Sequence, residues 1–81
     1  MDNIKVGMTV ASVYYPNIPL VVEAVFKYDF YSDPDKTTWY ACPQGGPVFR
    51  VRNPVTRNWM NCEACMLCEY QPAESPHHFA D

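Results

Sequence analysis

The sequence predicts an all-β domain: a small five-stranded barrel with at most one short helical turn and a loose C-terminal tail. Three observations lead there. Apolar residues recur with period two in short runs, and turn-forming residues punctuate those runs, with eight prolines against three glycines. At 81 residues there is room for one domain and a thin core. Closing a sheet on itself then avoids the exposed edges that a flat one would present.

Val6–Tyr15 reads as the first strand, alternating through Val6, Met8 and Val10 before turning apolar at Val13-Tyr14-Tyr15. Pro16-Asn17-Ile18-Pro19 reads as a turn, because two prolines fix φ and remove two backbone donors. Leu20–Tyr28 is the clearest strand, with Leu20, Val22, Ala24, Phe26 and Tyr28 on one face and Glu23 and Lys27 on the other. Ser32-Asp33-Pro34-Asp35-Lys36 is a turn, and Thr37–Cys42, rich in Thr, Trp and Tyr, is a strand. After the Cys42–Pro47 turn, Val48–Asn53 alternates, with Phe49 and Val51 expected inward and Arg50 and Arg52 outward. Asn53-Pro54 turns the chain again, and Trp59–Asn61 resumes an extended path. Cys62–Cys65 fits one helical turn leading into a last strand, Met66–Tyr70. The expected organisation is a barrel domain over 1–70 and a flexible tail over 71–81.

Six Lys/Arg against nine Asp/Glu give a net charge of −3, which disfavours a domain built on phosphate contacts. The basic residues are unevenly placed, however. Arg50, Arg52 and Arg57 are half of them, and no acid lies between Arg50 and Asn61. They read either as solvated arginines on a hairpin or as a nucleic-acid-binding patch. The start Met1-Asp2-Asn3-Ile4-Lys5 carries an acid where a secretion signal needs positive charge. The uncharged run Val6–Val22 is broken by prolines and too short to span a membrane. A cytoplasmic location is therefore expected.

Four cysteines are the number that fills one tetrahedral site. Cys62, Cys65 and Cys68 recur at three-residue spacing, with Cys42 as a remote fourth. Thiolates suit zinc, and the triplet spacing also fits an iron–sulfur cluster, although proline stands at position 72 where a two-cluster ferredoxin carries cysteine. Ordinary reduced thiols and disulfides are the competing readings, and in a reducing compartment the former is favoured. No cofactor is expected in the leading reading, and zinc in the alternative.

Catalysis has little in its favour. His77 and His78 both fall in the tail, Asp33 and Asp35 flank a turn proline, and no phosphate loop or hydrolase motif appears. Aromatic residues make up 15% of the chain, more than so small a barrel can enclose, and exposed Tyr and Trp are the usual anchors of interfaces. Tyr28, Phe30 and Tyr31, with Trp39 and Tyr40, are the candidate binding surface, since consecutive strand residues cannot all face inward. Tyr28, Asp29 and Trp39 also supply parts of an aromatic cage for a methylated side chain.

Lys5-Val6-Gly7-Met8-Thr9-Val10, Pro19-Leu20-Val21-Val22-Glu23-Ala24-Val25 and Trp39-Tyr40-Ala41-Cys42 together resemble the small SH3-like barrels. The bacterial YodC type is the nearest likeness, with KOW and Tudor-like modules further off. The likeness covers about residues 4–70. Met8 stands where those families carry an acid, the Tyr28–Thr38 loop is long, and the cysteine cluster is foreign to them. The resemblance implies an SH3-like barrel that binds and does not catalyse; it names no partner. The expectation is a non-enzymatic protein-binding module, and its compact, acidic, motif-poor chain also suits a phage-type inhibitor of a host protein. A metal-stabilised module and a nucleic-acid-binding module are the alternatives.

Overall fold

The computed structural model describes residues 3–27, 30–43 and 46–73. The described residues include seven strands and the 3₁₀ turn Ala64–Met66: β1 (Thr9–Ser12), β2 (Tyr15–Phe26), β3 (Phe30–Ser32), β4 (Trp39–Ala41), β5 (Val48–Arg52), β6 (Trp59–Glu63) and β7 (Leu67–Glu69). Five strands form one antiparallel sheet in the order β6-β5-β2-β1-β7, and β3 and β4 form a separate hairpin. The large sheet curls into a half-barrel with β6 and β7 at its edges. The fold is all-β with one short helical turn, as the alternation and turn chemistry predict.

Ile4, Val10, Val22, Phe49, Val51 and Leu67 fill the concave side, supported by Met8, Leu20, Val25 and Met60. Each fully buried aliphatic or aromatic side chain of this kind is worth about 1.5–3 kcal/mol. Phe49 and Val51 face inward as their alternation requires. The ladder pairs Val22 with Val51 and Val25 with Phe49, which places β2 and β5 side chains in register across the core.

Three local expectations are corrected. The first strand begins only at Thr9, because Gly7 takes φ +92° in a preceding turn and its N–H donates to the Val22 carbonyl (2.9 Å). Pro16–Pro19 is not the turn between the first two strands; that lies at Val13-Tyr14, where the Ser12 hydroxyl accepts the Tyr14 N–H (3.2 Å). The prolines sit within β2, in a bulged stretch where β1 advances from Val10 to Ser12 while β2 runs from Leu20 back to Tyr15. Out of the ladder there, they sacrifice no hydrogen bond. The segment is tied down by the Gln71 N–H on the Pro16 carbonyl (2.8 Å) and the Asn17 amide on the Gln71 carbonyl (2.7 Å).

The third correction concerns β2. Leu20 and Val22 do not share a face with Ala24 and Phe26, because the register shifts between Val22 and Ala24. The extra residue, Glu23, reverses the alternation, so Ala24 and Phe26 lie on the convex side opposite Arg50 and Val48. Tyr28, expected to continue that face, lies outside the described residues.

Candidate functional site

The β3–β4 hairpin is the surface that the aromatic run marks in the sequence. It pairs Phe30 with Ala41, Tyr31 with Tyr40 and Ser32 with Trp39. Facing pairs in a strand ladder share a side, so Tyr31 and Tyr40 meet, and their rings stack with centroids 5.2 Å apart. Tyr31 also touches Phe26 on the convex face of the sheet (6.3 Å, tilted). Phe30 and Trp39 alternate to the other side and stand diagonally across the ladder, 58% and 57% exposed. Tyr40 is held by its hydroxyl, which donates to Asp33 Oδ2 (3.3 Å). The nearby Asp33 charge pushes the phenol pKa up. The hairpin turn is built by Asp35, whose Oδ1 accepts the Thr37 N–H (3.1 Å); that bond holds its carboxyl below the usual carboxylate range.

Arg50 ties this hairpin to the sheet. Expected to point into solvent, it is only 7% exposed. The correction has a clear cause: β5 presents Arg50 to the convex side, and the hairpin covers that side. Its Nε donates to Asn61 Oδ1 (3.2 Å), and one terminal nitrogen donates to the Ser32 carbonyl. Asn61 donates to the same carbonyl (3.2 Å). The guanidinium lies 5.3 Å from the Phe26 ring and 5.8 Å from Trp59, within cation–π reach of both. A Glu23 carboxylate oxygen stands 3.9 Å away.

Glu23, the bulged residue, belongs chiefly to Arg52. The two form a forked pair, Nε to Oε1 at 2.6 Å and a terminal nitrogen to Oε2 at 3.1 Å. The hydrogen bond from Arg52 lowers the Glu23 pKa and raises that of Arg52. Arg52 also donates to the Arg57 carbonyl (3.0 Å). Arg57 itself is exposed, in the turn after β5, with φ +69°. The three arginines therefore have three situations: Arg50 is interior, Arg52 is neutralised by Glu23, and Arg57 alone faces water unpaired among the described residues.

The cysteines are dispersed over four places. Cys42 is buried just beyond β4, Cys62 packs against the core from β6, Cys65 is exposed in the 3₁₀ turn, and Cys68 on β7 donates to the Ser12 carbonyl (3.6 Å). All four are free thiols. Among the described residues, no group of three or more His, Cys, Asp or Glu side chains stands together in a way that could hold a metal ion. Burial pushes the Cys62 thiol up to about 11, with the neighbouring Cys65 and Glu63 adding to the effect.

Set against known protein families, curated proteins and solved structures, the chain matches none. Its reading therefore rests on its own geometry. Asp29, which with Tyr28 and Trp39 was expected to supply parts of an aromatic cage, lies outside the described residues, as do His77 and His78 of the tail. No helix among the described residues is long and apolar enough to cross a membrane.

A second apolar surface is not marked in the sequence. Tyr14 and Tyr15 are 69% and 65% exposed and, with Ile18, border a groove that Trp59, Met60 and Met66 complete. The sequence reading singled out none of these six as binding residues, because the groove joins segments some forty residues apart along the chain. The one available signal was the exposed Tyr14-Tyr15 pair beside two prolines.

Proposed function

We propose that this chain is a non-enzymatic binding module that captures a protein partner through the exposed face of the β3–β4 hairpin, with Phe30 and Trp39 as its anchors. The observation that carries the reading is the exposure of these two large side chains on one side of a hairpin whose other side stacks Tyr31 on Tyr40 and Phe26. Partially exposed aromatic pairs on a rigid support cost little side-chain entropy on binding and contribute heavily to affinity. Binding of protein in preference to nucleic acid is supported by the arginines, of which one is interior and one already paired. Kinship with SH3-like barrels is supported by the sheet order, in which the last strand lies beside the first, and by the 3₁₀ turn before the last strand.

A photo-crosslinking amino acid placed at Ala41, which is exposed on the same side as Phe30 and Trp39, in extract from cells that produce the protein, tests this. Crosslinks to a single partner are expected, and Phe30→Ser with Trp39→Ser should abolish them; each anchor contributes about 2 kcal/mol, roughly 30-fold in Kd. Crosslinking that persists unchanged in the double variant would remove the hairpin from the interface.

A further inference from the structure

The groove at the other apolar surface opens where the first half of β2 passes the β5–β6 turn. Tyr14, Tyr15, Ile18, Trp59, Met60 and Met66 form half of its lining, around a volume of ≈ 490 Å³. Small-molecule sites fall at roughly 300–1,000 Å³ and are lined mainly by apolar and aromatic side chains. Among the described residues, no Asp, Glu, Lys, Arg or His lines it.

Three of the polar oxygens at its rim are engaged within their own turns. Ser12 Oγ accepts the Tyr14 N–H (3.2 Å), Asn53 Oδ1 accepts the amides of Val55 (2.9 Å) and Thr56 (3.1 Å), and Thr56 Oγ1 accepts the Asn58 N–H (3.3 Å). Pro16 and Pro19 remove two N–H groups from the β2 wall. These facts select the occupant. A charged ligand would shed hydration and find no opposite charge. A peptide laid along the groove would set much of its backbone against rings and thioethers, and the Pro16–Pro19 stretch of β2 offers two fewer N–H donors with which to pair it as a strand. A small uncharged molecule carries neither cost. Aromatic rings and methionine sulfurs make adaptable, polarisable contacts with another ring.

We propose that this groove binds a small, uncharged, ring-bearing apolar molecule, at a site separate from the protein-binding hairpin. Binding is by apolar contact, and Ile18 and Tyr15 control entry at the mouth. The test titrates the full chain with N-phenyl-1-naphthylamine, an uncharged ring compound, and with its sulfonated analogue 1-anilinonaphthalene-8-sulfonate, reading probe fluorescence.

Saturable one-to-one binding of the uncharged probe is expected, with the sulfonate weaker by about tenfold or more. Ile18→Glu places a charge at the mouth and weakens the uncharged probe by about tenfold; Phe30→Ser on the hairpin leaves it unchanged. A thermal melt checks that Ile18→Glu is folded, and Tyr15→Ser, at a mostly exposed position, gives a second reading of the same loss. Non-saturable binding, equal affinity for the sulfonate, or indifference to both groove variants would overturn the proposal. So would displacement of the dye by the capped peptide N-acetyl-Leu-Phe-Leu-amide at lower concentration than by naphthalene. Failure here leaves the hairpin reading standing, because the two sites share no residue.

Discussion

Replacing Arg50 by alanine probes how the two layers are joined. The side chain is nine-tenths buried, and its partners are the Ser32 carbonyl, Asn61 Oδ1 and the faces of Phe26 and Trp59. A hydrogen bond from a charged donor contributes about 1.5–3 kcal/mol, and each ring contact about 0.5–1 kcal/mol. Removing one partner of a buried pair can cost about 3–5 kcal/mol when the other charge is stranded. That is not the case here, because Glu23 retains its forked bond to Arg52 and Ser32 retains the Asn61 donor. The expected cost of Arg50→Ala is therefore about 3 kcal/mol, near the lower limit of that range. At about 0.05–0.15 kcal/mol per residue, the whole domain holds about 4–12 kcal/mol, so the loss is a large fraction of it. Tm should fall by about 12–24 °C, taking about 4–8 °C per kcal/mol for a domain of this size. Urea unfolding followed by circular dichroism measures it, with Arg57→Ala as the exposed control, expected within about 0.5 kcal/mol of the parent. If Arg50→Ala cost no more than Arg57→Ala, Arg50 would be a solvated residue and the tie between hairpin and sheet would be elsewhere.

Thiol alkylation should rank the cysteines: at pH 8, Cys65 in the exposed turn reacts with iodoacetamide first. Cys62, with its thiol pushed up to about 11, reacts roughly a hundredfold slower, as peptide mapping by mass spectrometry over time would show. Comparable rates at the two sites would contradict the burial of Cys62. Acid should weaken the fold through Glu23. Its carboxyl is held below its ordinary value of 4.5, so the stabilisation is present above that pH and is lost as pH falls through the lowered folded value. Glu23→Gln should flatten that part of the stability-against-pH curve, measured by urea midpoints, and an unchanged curve would show that the pair contributes nothing.

Strand positions along the chain were legible where two faces alternate cleanly. Phe49 and Val51 against Arg50 and Arg52 placed β5, and Trp39-Tyr40 placed β4. What was not legible follows from bulges. An extra residue at Glu23 has no signature in an alternating pattern, since Leu20, Val22, Ala24 and Phe26 satisfy period two whether or not the strand slips. Pro16 and Pro19 carry the composition of a turn, yet their missing donors are tolerated equally well outside the ladder within a strand. The hairpin aromatics were readable because exposure follows from crowding within one segment. The groove was not, because it exists only when Tyr15, Trp59 and Met66 are brought together by the fold.

The arginine that the sequence places outside is what holds the aromatic hairpin to the sheet. A two-stranded hairpin is marginal on its own in water, and a surface that must first be ordered loses that ordering cost from its affinity. Arg50 and Asn61 converge on the Ser32 carbonyl at the end of β3, and Tyr31 packs on Phe26 at its middle. β3 is thereby fixed to the sheet at its middle and its end, and Phe30 and Trp39 are presented from that frame. In the proposed binding role, Arg50 would act as a positioning residue, through the hairpin and without touching the partner. The same bulge that turns Glu23 toward Arg52 carries Phe26 to the convex side, where it meets both Tyr31 and the guanidinium. One inserted residue in β2 therefore builds the platform on which the hairpin rests.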